Sequence, residues 1–162
     1  RLNEKLGRSM SAGMKVQFKE SDVMIKSDLI ELTVLKSPTV IINIRKLYDL
    51  IDFSRGDFLT VTQGIYEITI ISNIKYKSKI EKIFAQEKIV KTFDKLSSLT
   101  IRIPLNAVET VGFFYVVTKA LAWENINIIE VVSTLTEMTF ILHEDDASRA
   151  FIALKDIIHE LQ

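Results

Sequence analysis

Two histidines, a run of three carboxylates and a row of lysines are the residues here whose types could do chemistry. None is spaced to do it. His143 and His159 stand apart, one closing an apolar alternation and the other late in an amphipathic run, with no ligand set at metal-site spacing beside either. Glu144-Asp145-Asp146 has the charge of a cation site, but it also stands where a helix is expected to begin. Carboxylates there serve the exposed amides and the macrodipole, which explains them more simply. Lys75, Lys77, Lys79 and Lys82 read as a solvated helix face rather than a phosphate or RNA surface. The chain has no cysteine, which removes disulfides, thiolate catalysis and cysteine-ligated zinc. It also shows no glycine-rich phosphate loop and no carboxylate set for Mg²⁺. The expectation is a binding module, not an enzyme, with no catalytic residues, no cofactor and no metal.

Composition agrees with a folded globular protein. Of 162 residues, 48% are apolar and 26% charged, and acidic and basic residues balance at 21 each. No whole-molecule field therefore draws nucleic acid or an anionic membrane, and neither is expected as a partner. No apolar run reaches the ~18 residues of a membrane span. Arg1-Leu2-Asn3-Glu4-Lys5 lacks the apolar centre of a signal peptide. A soluble, cytoplasmic protein is the expectation.

The elements that would position any site are clearest from Leu99 onward. Leu99, Ile101, Ile103 and Leu105 share one face and Thr100 and Arg102 the other, the period of a half-buried strand. Phe113, Val116, Val117, Ala120 and Leu121 form a helical stripe, and Asn125 stands where that helix must cap. A strand follows from Asn127 to Val132 and another from Met138 to His143. The last helix carries Ala147, Ala150, Phe151, Leu154, Ile158 and Leu161 on one face.

The order is β-α-β-β-α, and it occurs twice, with matching elements ~70 positions apart. In the earlier copy Ile30, Leu32 and Val34 alternate with Glu31 and Thr33. Ser37-Pro38 reads as an N-cap with proline at the first helical position. Val40, Ile44, Leu47, Tyr48 and Ile51 make the helical stripe, and Arg55-Gly56-Asp57 breaks the pattern. Phe58–Thr62 and Ile65–Ile71 form a hairpin around Gln63-Gly64. Asn73 is placed to cap a helix that buries Tyr76, Ile80, Ile83 and Phe84. Lys88–Phe93 is read as an extra joining strand and Val23-Met24-Ile25 as a short edge strand. The expected division is residues 1–22 as an arm or the end of a preceding element, 23–98 as one repeat and 99–162 as the second.

On these residues the chain resembles the ACT domain family, small β-α-β-β-α-β modules that bind amino acids and regulate metabolic enzymes. The family's loop ending in a Pro-Gly-like pair, its apolar helix and its Gly-Ile-Asn-Ile segment fall on Val111-Gly112, Phe113–Trp123 and Asn125-Ile126-Asn127-Ile128. Thr62-Gln63-Gly64-Ile65-Tyr66-Glu67-Ile68-Thr69-Ile70 is similar to the hairpin in the regulatory region of aspartate kinases. The sequence departs from the pattern at Val111, where proline is usual, and after Pro38, where no glycine follows.

The resemblance implies an α+β fold of two ferredoxin-like repeats, antiparallel sheets with helices on one face, packed side by side. It implies a non-catalytic regulatory protein that binds an amino acid or similar small metabolite between modules and signals through assembly. A homo-oligomer, a dimer or higher, is expected, with a metabolic enzyme as a further partner. The ligand residues it points to are Val111, Gly112, Phe113, Asn127 and Ile128, with Ser37, Pro38 and Thr39 as a second set. A helix start presents amides to a carboxylate and glycine lets a ligand approach the backbone. Gly112 also reads as a plain turn glycine, Asn127 as a residue satisfying local backbone, and Gln63-Gly64 as a hairpin turn only. Trp123 reads as a packing or interface residue. Two other readings stand beside this one: the detached regulatory portion of an aspartate kinase-like enzyme, and an RNA-binding module of the same topology. The last would need outward aromatics on its central strands, and Phe140, alternating with Met138 and Leu142, reads as core.

Overall fold

A computed structural model describes residues 23–103, 105 and 111–160. The expected arm at 1–22 and the contribution of Leu161 lie outside the described residues. The elements run in the order β1 (Val23–Leu35), α1 (Pro38–Leu50), β2 (Leu59–Gln63), β3 (Glu67–Asn73), α2 (Lys77–Ile83), β4 (Ile89–Arg102), α3 (Phe113–Trp123), β5 (Ile128–Ser133), β6 (Glu137–His143) and α4 (Ala147–Glu160). The fold class is α+β. Contacts divide the chain into two compact units: Ser27–Leu96, and Ser97 onward together with Val23–Lys26.

In the unit of residues 27–96 the strands lie in the order β2-β3-β1-β4. β3 pairs antiparallel with both neighbours, Thr33 facing Thr69 and Thr62 facing Thr69 across the two ladders. The core fills one face: Ile30, Leu32, Val34, Ile68 and Ile70 from the strands meet Val40, Ile44 and Leu47 of α1 and Ile80 and Phe84 around α2. α1 begins as its sequence dictates. Ser37 is extended and its Oγ accepts from the Val40 amide at 3.1 Å, with Pro38 at the first helical position.

In the other unit the order is β1-β4-β6-β5, with Val23 of β1 packed among Leu99, Ile101, Phe140 and Leu142. β5 pairs antiparallel with β6 and carries a bulge between Ile128 and Glu130. Phe113, Val117, Ala120 and Leu121 of α3 and Ala150, Leu154 and Ile158 of α4 cover the same face. α3 ends in a Schellman arrangement: Asn125 takes the left-handed conformation at φ 54°, its amide bonds Ala122 O at 3.0 Å, and the Ile126 amide bonds Leu121 O at 3.0 Å. The cap expected at Asn125 is there.

Small backbone details recur at matching places in the two units. The Lys36 amide bonds Tyr66 O at 2.8 Å, and the Ile103 amide bonds Thr136 O at 2.7 Å. The Gly64 amide bonds Glu67 O at 2.9 Å, as the Thr134 amide bonds Glu137 O at 2.9 Å. Asn73 (φ −65°, ψ 141°) and His143 (φ −64°, ψ 141°) each lead from a strand into a short 3-10 turn. On the face away from the helices, Thr33 and Thr69 hydroxyls meet at 3.0 Å and Thr100 and Thr139 at 2.8 Å.

Several expectations need correction. The segment Lys88–Phe93 is not a separate joining strand but the first part of β4, and Val23–Ile25 is the first part of β1 rather than an isolated edge strand. Glu31 and Thr33 are buried, as are Ser98 and Thr139, so β1, β4 and β6 are buried on both faces at these positions. Threonine and serine read as solvent-facing in an alternation, yet they tolerate burial once their hydroxyls are paired. Tyr48 is half-exposed outside the α1 stripe and stacks on Phe53, because Leu47 fills the core position one residue earlier. Asn73 makes no side-chain cap; its Oδ1 accepts from the Phe58 amide at 2.7 Å and so joins β3 to the chain leading into β2.

Candidate functional site

The residues expected to bind ligand sit at helix starts and strand starts, and each helix start is built differently. α3 begins at Gly112, whose φ of 90° is a backbone state that a residue with a Cβ adopts only under strain. No side chain caps the helix there, and Val111 just before it is 87% exposed. Phe113 turns its ring into the core, edge-on to Phe114 at 5.9 Å between centroids. What Phe113 can offer a ligand is therefore backbone rather than ring.

Asn127 is exposed immediately before β5, and Ile128 is half-buried against the core and faces Leu142 of β6. These two residues follow the end of α3, whereas Gly112 precedes its start. An 11-residue helix spans about 16 Å at 1.5 Å per residue, and Gly112 and Asn127 lie beyond opposite ends of it. They do not form a single pocket within it.

At the start of α1 the picture reverses. Ser37 is engaged on three sides: its Oγ accepts from the Val40 amide, lies 2.9 Å from Thr39 Oγ1, and donates to Glu87 Oε2 at 2.8 Å. A serine hydroxyl has one proton, and Glu87 takes it, so Thr39 is the donor in their contact. Glu87 Oε1 accepts from Asn43 Nδ2 at 2.9 Å, and Asn43 Oδ1 accepts from Lys46 Nζ at 3.1 Å. Neither Asn43 nor Glu87 was singled out by the sequence. Glu87 is fifty residues from Ser37 and carries no local signal; Asn43 sits on a helix where polar residues normally face water.

A second tied carboxylate lies just before β2. Asp57, whose side chain is 7% exposed, receives the Tyr76 hydroxyl at Oδ2 and Lys75 Nζ at Oδ1 at 2.6 Å. The hydrogen bond to Asp57 raises the Lys75 pKa. Lys77 likewise pairs with Asp94 at 2.6 Å, so the lysine row is partly neutralised by its own unit. His143 ends β6, and the carboxylates after it form the 3-10 turn Glu144–Asp146 that leads into α4. Arg149 bonds both Asp146 and, at 3.0 Å, Glu124 O. Trp123 is 74% exposed with Lys119 Nζ 4.1 Å above its ring, so it does not pack inside its unit.

Burial alters the acidity of Glu130 on β5: desolvation raises its pKa. The folded chain then holds that proton more tightly than the unfolded chain does. Stability from this group is present at acid pH and is lost as pH rises through the raised value. Glu130→Gln is therefore expected to raise the thermal midpoint by a degree or two at neutral pH. The difference from wild type should vanish on acidification through the ordinary glutamate range, as followed by thermal melts across pH.

Comparison with known proteins now bears on this arrangement. No family model matches the chain, and no curated protein matches it. Solved structures do. The alpha and beta subunits of an aspartokinase superpose with a TM-score of 0.68 at 13% identity, over 85% of this chain and 97% of that one. The fold is that of aspartate kinase regulatory regions. The ligand-free regulatory subunit of aspartate kinase from Thermus thermophilus matches with a TM-score of 0.65 at 13% identity, over 83% of this chain and 95% of that one. The aspartate kinase of Clostridium acetobutylicum matches at 13% identity and a TM-score of 0.68, over 84% of this chain and 34% of the longer kinase chain. Among the described residues, no helix of this aspartate kinase-like regulatory fold is long and apolar enough to cross a membrane.

Proposed function

We propose that the chain is a pair of ACT-type modules that bind an amino acid or similar small metabolite and pass its occupancy on through assembly. The supporting observation is the start of α3, a left-handed glycine with no side-chain cap behind an exposed Val111, in a fold shared with aspartate kinase regulatory subunits. A carboxylate suits a helix start, where amides and the macrodipole face outward. Gly112 lets it approach the backbone, and Asn127 suits an α-amino group. Because these residues flank opposite ends of α3, a helix about 16 Å long, one ligand meets both halves only where a second module supplies the other. Binding and assembly are then one equilibrium: a ligand that touches two modules favours the geometry that brings them together. The backbone features repeated between the units support an internal duplication. Phe140 is fully buried, which leaves no aromatic platform for RNA at that strand.

A second reading has its own support. The same fold occupies about a third of the Clostridium acetobutylicum kinase chain, so the modules also suit the regulatory portion of such an enzyme. The ligand chemistry is common to both readings.

A thermal-shift screen against the twenty amino acids tests the proposal. A specific ligand at a hundredfold over its dissociation constant stabilises by ~2.7 kcal/mol and moves the midpoint by several degrees. Gly112→Val, which forces a branched side chain into a positive-φ position, is expected to abolish that ligand shift. A flat response of the wild-type chain to all twenty would sink the amino-acid reading.

A further inference from the structure

The start of α1 holds a carboxylate already, and it belongs to the chain. We propose that Glu87 is an autoinhibitory plug that takes the place of an effector carboxylate in the unit of residues 27–96, closing that unit to free amino acids and leaving binding to the unit that contains α3. This rests on the effector reading above and assigns its site.

Glu87 grips α1 through side chains on its first two turns: Oε2 receives the Ser37 hydroxyl at 2.8 Å and Oε1 receives Asn43 Nδ2 at 2.9 Å. Both carboxylate oxygens are used, and the single proton of Ser37 is committed. Asn43 is buried, and its own Oδ1 is held by Lys46, so its amide group is fixed in the orientation that donates to Glu87.

The plug is also fixed from its own side. The Glu87 amide bonds Phe84 O at 2.9 Å, and the Leu35 amide bonds Lys88 O at 3.0 Å. A carboxylate held this way is preorganised, and its effective concentration exceeds the millimolar level of a short flexible tether. A free amino acid at ordinary concentration does not displace it. The polar side chain just before β2 is spent as well, since Asp57 is tied to Lys75 and Tyr76. By contrast, Gly112 at the start of α3 has no side chain to spend.

The test removes the plug and offers a free carboxylate in its place. Thermal midpoints are measured for wild type and Glu87→Ala in sodium acetate and in sodium chloride of equal ionic strength. Wild type is expected to melt alike in both salts. Glu87→Ala should melt about 3 °C lower in chloride and recover about half of that loss in acetate. Adding Ser37→Ala should remove the recovery. If Glu87→Ala does not fold, Glu87→Ser opens the same space and carries the same comparison. An acetate response absent from the Glu87 variants, or equally large in wild type, overturns the plug. Acetate reports on the plug even if none of the twenty amino acids binds the protein. An amino-acid response of wild type lost in Ser37→Ala but kept in Gly112→Val would overturn the plug and the Gly112 site while leaving amino-acid binding itself intact.

Discussion

Phe140→Ala is expected to destabilise the protein by about 3–5 kcal/mol, the usual cost of emptying a large buried aromatic site. Phe140 is fully buried on β6 among Leu99, Ile101, Phe113 and Leu154, with helices over the same face. Packing this dense leaves neighbours little freedom to collapse into the gap. Guanidinium unfolding followed by circular dichroism should show the midpoint move to lower denaturant with its slope nearly unchanged. A loss under about 1 kcal/mol would mean that Phe140 does not sit in a packed core. That outcome would also revive a surface role for the residue.

Asp57→Ala should cost about 2–3 kcal/mol, chiefly through the Tyr76 hydroxyl. Tyr76 is buried, and its hydroxyl donates to Asp57; the nearest further bond is a long contact of 3.4 Å from the Asp52 amide. Removing the acceptor leaves a buried donor unsatisfied, which costs more than the net worth of the bond. The Lys75 arm adds little, because its ammonium is solvated. Tyr76→Phe in the Asp57→Ala background separates the two contributions. The double variant should be more stable than Asp57→Ala alone, since the orphaned hydroxyl is then gone. Denaturant midpoints of the three variants measure this directly, and a double variant less stable than Asp57→Ala would contradict the assignment.

The helices were the most legible part of the sequence. The α3 stripe and the left-handed Asn125 are both where period and cap chemistry placed them, because a helix covering a sheet writes its buried side at every third and fourth residue. The long strands were less legible. Leu96, Ser97, Ser98 and Leu99 in the middle of β4 are all buried, and a strand covered on both faces shows no alternation. Asp28 in β1 and Lys95 in β4 also take positive φ, at 59° and 54°, which interrupts the pleat. The alternation pattern therefore divides this one fourteen-residue strand into two pieces.

The same limit applies to the candidate site. Ser37 was visible as a cap because capping is local, acting on an amide three residues on. Its bond to Glu87 is not local, and nothing in the residues around position 87 announces it. Gly112 was visible as a turn glycine before a helix. Its positive φ and missing side-chain cap, which distinguish it from Ser37, required the backbone itself. Tertiary hydrogen bonds thus separate two helix starts that look alike as text: Ser37 donates to Glu87 at the start of α1, while no side chain caps α3 at Gly112.

The most direct measurement of this account is a titration of isotope-labelled protein with the amino acid that gives the largest thermal shift, followed by backbone amide resonances. The predicted result is saturable movement of the signals of Val111–Tyr115 and of Asn127–Ile128, with those of Ser37–Asn43 unmoved. Signals that stay fixed at Gly112 and Asn127 while others shift on saturation would contradict it.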